Sequence, residues 1–419
     1  MRPLNIAPLV VLTLISFMSI VPAQNSADAL VAKEFEVVEK KLEVMAGSED
    51  DKLRRAEMDA FREACQAFIT RHEVNASKLT SGHFDLARGY LHLGQPDQAA
   101  LHLESFAKLL PQHERAEDAQ LLLGDAYRSL DRLPDAVALF RQFVAQRPKS
   151  EKLPFARLHL GNSLLLSMDF AGAIGEFQVV RATWPKHQAA ASASLQMIEA
   201  HVNAGDFAKA RAVLAELLAE NQEAPALQRL KSVLGMLGQR APDLGKAAQW
   251  IGTPASNISR LKGRVVVLCF FMNWSAPCTY ELQFLSGLLE ELEPQGLTVW
   301  GVTKTYKTGK RKWTLDREVQ WLEAYRKTPG RIIREELGVS EAMIGEDPSR
   351  WANLERPISC PFSLMDNFDT HKAFQVRGVP CVVVIDKTGT VQMIKEGGSS
   401  SGGFQRRLVS RLVKKLLRQ

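Results

Sequence analysis

The sequence predicts an α-helical repeat solenoid followed by one α/β domain, and three observations carry that reading. A set of small residues, aromatics and prolines recurs every 37 residues from about residue 81 to 223. Val265-Val266-Val267-Leu268-Cys269-Phe270-Phe271 is an unbroken apolar run with the length and β-branched content of a buried central strand. Between these two textures, Gly238-Gln239-Arg240-Ala241-Pro242-Asp243-Leu244 breaks the helical period.

Taken in order, the chain opens with Arg2 and an apolar run from Ile6 to Val21, then Val21-Pro22-Ala23 ahead of Gln24. That pattern reads as a signal peptide over residues 1–23, with an uncleaved membrane anchor as the rival, hence an exported, periplasmic or otherwise extracytoplasmic protein with no stable membrane span after signal cleavage. Residues 24–80 read as helical without the repeat, with Phe35, Val38, Leu42 and Met45 spaced for one buried face. The repeats are assigned to residues 81–236. Ala99, Ala136, Ala173 and Ala210 keep the 37-residue step, as do Pro111, Pro148 and Pro185. Gly124, Tyr127, Phe140 and then Gly161, Leu164, Phe177 fill the pattern around the middle two alanines. A small residue lets paired helices approach, the aromatic fills the groove between them, and the proline ends the second helix. The last domain, 237–419, holds a helix from about Cys278 to Pro294, a strand over Leu297–Thr303, a hairpin from Cys381-Val382-Val383-Val384-Ile385 through Lys387-Thr388-Gly389 to Val391–Ile394, and a final amphipathic helix.

Composition bounds the function. The 419 residues suggest two or three domains, and 46% hydrophobic with 24% charged residues argues against wholesale disorder. Five cysteines are too few for a disulfide scaffold and fit no zinc-ribbon spacing. The net charge is +6, and Arg406, Arg407, Arg411, Lys414, Lys415 and Arg418 in the last fourteen residues account for all of it. The remainder is close to neutral, so no nucleic-acid partner is expected. Neither a metal nor a cofactor is expected.

The 37-residue pattern resembles tetratricopeptide (TPR) repeats in a slightly lengthened form. The resemblance implies a stack of helix pairs that binds a client or assembly-partner protein, or else a spacer. The later segment resembles the TlpA-type and redoxin (AhpC/TSA-like) branch of the thioredoxin superfamily. The residues that carry it are Ala241-Pro242-Asp243-Leu244, Leu261-Lys262-Gly263, Phe270-Phe271-Met272-Asn273-Trp274-Ser275-Ala276-Pro277-Cys278 with Glu281-Leu282, and Gly378-Val379-Pro380 before Ile385-Asp386-Lys387-Thr388-Gly389. The fold class is therefore a TPR solenoid followed by an α/β thioredoxin-like domain, with an insertion at about 304–355.

The resemblance implies thiol–disulfide exchange by a Cys-x-x-Cys motif whose first cysteine sits at a helix N-terminus. Here Ser275 takes that place, and serine forms no mixed disulfide. Cys278 remains as the candidate redox thiol, with Trp274, Val379 and the cis-proline Pro380 as candidate substrate-docking residues. Cys381 stands where the family usually has threonine, and Cys269 where relatives carry a buried acid or amide. Both are candidate second thiols, Cys269 the better placed, or else small buried hydrophobes. Cys360 is a further candidate resolving thiol, and Cys65 is expected to be inert. Asp386 and Lys387 read as turn residues. Three functions follow: a thiol–disulfide oxidoreductase with a degenerate Ser-x-x-Cys motif, a non-catalytic protein-binding module that retains the fold, and a one-cysteine thiol peroxidase. Lys304-Thr305-Tyr306-Lys307-Thr308-Gly309-Lys310-Arg311-Lys312-Trp313 reads as a basic loop facing solvent or an acidic partner.

Overall fold

The structure is a computed structural model that describes residues 26–46, 51–220, 224–272, 275–305, 314–335, 356–397 and 403–419. The expected signal peptide, Trp274 and most of the basic segment at 306–313 lie outside the described residues. The chain divides into two compact units, residues 1–204 and 205–419.

The first unit is helical: α1 (Ser26–Ala46), α2 (Asp51–Glu73), α3 (Gly82–His92), α4 (Pro96–Leu109), α5 (Ala116–Ser129), α6 (Leu133–Gln146), α7 (Leu153–Leu166), α8 (Phe170–Thr183) and α9 (Gln188–Ala204). The periodic residues sit where helices touch. Ala99, Ala136 and Ala173 are fully buried on α4, α6 and α8, with Phe140 and Phe177 buried one turn later. A Cβ on Gly124 would meet the Phe140 ring at 2.3 Å, and one on Gly161 the Phe177 ring at 2.4 Å. Each glycine on the first helix of a pair thus makes room for an aromatic on the second, which explains why both recur together. Pro111, Pro148 and Pro185 directly follow the C-caps Leu110, Arg147 and Trp184, where no helical N–H is needed.

The turn inside each pair repeats as well. Gly94, Asp131, Met168 and Gly205 share positive φ of 71°, 60°, 63° and 90° at the same 37-residue step. Before the repeats, the buried Asp28 carboxylate on α1 accepts the backbone N–H groups of Thr80 and Gly82 at 3.0 and 2.8 Å, and it anchors the start of α3.

The second unit starts with α10 (Phe207–Glu220) and α11 (Pro225–Met236) and continues into a six-stranded mixed sheet. Its strands are β1 (Ala247–Ile251), β2 (Val265–Phe270), β3 (Leu297–Lys304), β4 (Phe362–Met365), β5 (Cys381–Ile385) and β6 (Val391–Glu396), in the order β1-β4-β3-β2-β5-β6. β2, β3 and β4 run parallel, while β1, β5 and β6 pair antiparallel. Every residue of β2 is buried, as its apolar run requires at the centre of a sheet covered on both faces. The helices are α12 (Ala276–Leu292), α13 (Leu315–Lys327), α14 (Pro329–Glu335), α15 (Asp369–Ala373) and α16 (Gly403–Arg418).

Side-chain alternation assigns the faces. Phe270 packs on His371 and Phe374 beside α15, whereas its neighbour Phe271 stacks on Tyr325 of α13. Helix α16 lies alongside α12 through the ion pairs Arg406–Glu281 and Lys414–Glu291. Its apolar stripe, Leu408, Val409, Val413 and Leu416, is buried. Just after α11 the backbone is captured by the hairpin: Gly238 N–H donates to Val391 O, Val391 N–H to Gln239 O, and Ala241 N–H to Gly389 O. β1 and the helices α13 to α15 are additions to the elements expected from sequence.

Candidate functional site

The turn between β2 and α12 places the residues singled out by sequence. Ser275 is the N-cap of α12 with extended backbone, and its carbonyl accepts the Cys278 and Thr279 N–H groups at 2.9 and 3.1 Å. Pro277 lies in the first turn, where it stiffens the helix start without removing a hydrogen bond. Cys278 follows with no exposed surface. Burial pushes its thiol pKa up, and hydrogen bonds with the Ser275 hydroxyl and the Met272 backbone only partly offset this. None of the described charges acting on it is positive; Glu281, one helical turn on, opposes ionisation further.

Cys269 sits under this turn on β2 and is fully buried. Burial raises its thiol well above the ordinary range, and Glu281, Cys278, Cys360 and Cys381 add to the effect, so all four lie within electrostatic reach. Register separates them by face. Phe270 opposes Cys381 across the β2–β5 pair, and Cys269 opposes Val382. Residues directly opposite share a face, so Cys381 projects on the Phe270 side and Cys269 on the other, with α12. Cys360 joins the α12 side: its N–H donates to the Ser286 hydroxyl of α12 at 3.3 Å. Cys269 thus faces Cys278 at the start of α12, Cys360 lies on the same side beside Ser286 in the third turn of that helix, and Cys381 projects from the opposite face. Burial pushes the Cys360 thiol to about 11 and that of Cys381 to about 12, where Arg229 pulls it down slightly. The described cysteines are free thiols, including Cys65, which is buried in α2 and pushed to about 11.

Two groups that sequence reasoning did not assign to the site complete it. Tyr325 is fully buried, stacks between Trp321 and Phe271, and shares a 2.6 Å hydrogen bond with the Thr279 hydroxyl. Gly301, paired with Cys269 on β3, makes this cluster possible, since a Cβ there would meet the Phe362 ring at 2.5 Å and the Phe271 ring at 3.0 Å. Glu281 is nearly buried on α12 and pairs with Arg406 at 3.2 Å. Burial raises its pKa and the guanidinium only partly restores it.

Val379–Pro380 is a cis peptide, with Val379 half-buried and Gly378 exposed. Asp386 is a turn residue: its Oδ1 accepts the Thr388 and Thr390 N–H groups at 2.8 and 3.0 Å. Among the described residues no cluster of three or more His, Cys, Asp or Glu side chains is arranged to hold a metal ion.

The comparisons agree with this architecture. Residues 237–394 match the AhpC/TSA family model, and residues 84–151 and 164–234 match tetratricopeptide repeat models. The chain thus carries a thioredoxin-like redoxin domain of the AhpC/TSA type behind tetratricopeptide repeats. It is 28% identical over 161 residues to Protein DipZ of Mycobacterium bovis and of Mycobacterium tuberculosis. That match takes in 38% of this chain and spans only 18% of the length of those relatives. Among solved structures, a thiol:disulfide interchange protein of the thioredoxin family from Chlorobium tepidum TLS is 20% identical, covering 42% of this chain and 95% of its own, with a TM-score of 0.28. The kinesin light chain nearly identical TPR-like repeats of Podosopora anserina are 17% identical, covering 49% of this chain and 97% of their own, with a TM-score of 0.36.

Proposed function

We infer that the chain is an extracytoplasmic protein of the thiol–disulfide oxidoreductase class, whose repeats over 81–236 hold a client protein for the thioredoxin-like domain over 237–419. The observation that carries this reading is the pairing of Cys269, buried on β2, with Cys278 in the first turn of α12, with the cis-proline Pro380 following Val379. In the reaction proposed, the Cys278 sulfur attacks a client disulfide, and the Cys269 thiol then displaces the mixed disulfide. The client leaves with two thiols, and a Cys269–Cys278 disulfide remains. Residues 1–23 would export the chain, supported by the apolar run from Ile6 to Val21. Among the described residues no helix is long and apolar enough to cross a membrane.

A second reading has its own observation. Ser275 fills the position of the attacking cysteine, and Cys278 is fully buried with a raised thiol pKa, which suits a domain kept for binding rather than turnover. Peroxidase chemistry has less support, because no described cation acts on Cys278 to hold a thiolate. The test is alkylation of native and of mildly oxidised protein, followed by mass mapping. A reversible disulfide joining Cys278 to Cys269 or Cys360 supports exchange chemistry. Five thiols that stay free and unreactive until denaturation support the binding module.

A further inference from the structure

Helix α11 presents two distinct faces. On one, Arg229 forms an ion pair with Glu396 at the end of β6. The same carboxylate accepts the Arg377 N–H at 3.0 Å, in the loop that leads to Pro380. Arg229 also acts on the Cys381 thiol directly after that proline. The other face of α11, through Gln228, Lys231 and Leu234, looks across a groove of about 700 Å³ to Arg211, Leu214 and Leu218 of α10.

The lining of this groove has a definite chemistry. Its floor is aliphatic, with Leu214 and Leu234 buried and Leu218 half-buried. Among the described residues that line it, the charged side chains are Arg211 and Lys231, both positive. Arg211 is fixed by hydrogen bonds to Leu234 O and Leu237 O at 3.2 and 3.3 Å, so it caps the C-terminal carbonyls of α11 while standing at the groove wall. Lys231 is exposed at the opposite rim. The volume lies within the range of small binding clefts, roughly 300–1,000 Å³, enough for a few aliphatic side chains but not a folded domain.

We propose that the groove between α10 and α11 is a docking site for a short apolar segment of the client protein that carries acidic residues. Leucine-sized side chains enter between Leu214, Leu218 and Leu234, and flanking carboxylates meet Arg211 and Lys231. The site rests on the reading above that the chain receives a protein client. It adds where the client is held: on the helix whose opposite face is latched to the cis-proline loop by Arg229 and Glu396.

The test uses the full chain and a fluorescein-labelled synthetic helical peptide with leucine on one face and glutamate on its flanks. A counterpart has lysine in place of each glutamate. Fluorescence anisotropy should show salt-sensitive binding of the acidic peptide, and binding of the basic one weaker by about tenfold or more. Lys231→Glu should lower the affinity for the acidic peptide about fivefold to tenfold. Leu218→Asp should lower it at least as far, with circular dichroism confirming an unchanged fold. Lys149→Glu makes the same change of net charge on an exposed residue of the first unit and should have little effect. Equal binding of the two peptides, no binding of either, or equal losses with Lys149→Glu and Lys231→Glu each overturn the proposal. So does a concentration-dependent dimer in sedimentation that Lys231→Glu abolishes, since a second copy would then fill the groove. Turnover of a small-molecule disulfide is measured on the same preparations. Its absence counts against the oxidoreductase reading and leaves the docking result standing.

Discussion

At residue 275 one atom separates the observed site from a working Cys-x-x-Cys pair. The Ser275 hydroxyl lowers the Cys278 thiol pKa from the N-cap of α12, and a sulfur in its place would restore the Cys-x-x-Cys spacing at that helix start. It would also gain what the helix start offers an anion, free N–H groups and the positive end of the dipole. Ser275→Cys is therefore expected to form a reversible disulfide with Cys278 and to reduce insulin faster than the unaltered protein; alkylation mapping and turbidity assays measure both. Failure of the variant to oxidise would mean that the two side chains are held apart. The serine itself was legible in sequence, because the surrounding Trp-x-x-Pro-Cys spacing fixes its position. The separation of Cys381 from Cys269 was not, since it depends on a cross-strand register that only the folded hairpin defines.

The repeat helices show at the level of elements how much a period reveals. Alanines, aromatics and prolines at a 37-residue step were readable because each is set by contact between helices. The left-handed turn at Gly94, Asp131, Met168 and Gly205 recurs just as regularly but escapes a search by residue type, because two of its four members are not glycine. A non-glycine residue there costs roughly 1 kcal/mol. Asp131→Gly, at an exposed position, is expected to raise stability by about 0.5–1 kcal/mol in urea unfolding. The opposite holds where the glycine makes room for a ring. Gly161→Val should lose about 2–3 kcal/mol, because the Phe177 ring occupies the space of the added carbons. Combined with Phe177→Ala, its total loss should fall short of the sum of the two single losses. β1 was missed for a different reason: Ala247-Ala248-Gln249-Trp250-Ile251 is a half-buried edge strand, and its composition carries neither clean alternation nor a continuous apolar run.

For the molecule as a whole, buried neutral imidazoles set a lower limit of pH. Burial, with Lys304 adding to it, pulls the His371 pKa from 6.5 to about 4, and burial beside Arg88 does the same for His92. A depressed histidine pKa means that the unfolded chain takes up the proton first. Stability is thus fully present above about pH 6.5 and declines as pH falls toward 4, by up to about 3 kcal/mol for His371. Unfolding midpoints between pH 7 and 4 should show this loss, and His371→Leu should remove the part that His371 contributes while that of His92 remains. That helical repeats precede a sheet domain was legible from the change of texture near residue 236, whereas the compact units divide earlier, between residues 204 and 205. The continuity of α11 with the sheet domain was not legible, because the backbone bonds of Gly238, Gln239 and Ala241 to the hairpin leave no trace in side-chain pattern. Those bonds have a consequence for solubility. β6 ends the sheet, and the segment after α11 covers the start of its outer edge at Val391 together with the preceding turn at Gly389. A fragment that begins after Ala241 would leave the Val391 N–H and carbonyl and the Gly389 carbonyl bare at that edge, and it should self-associate at concentrations where the full chain remains monodisperse by light scattering.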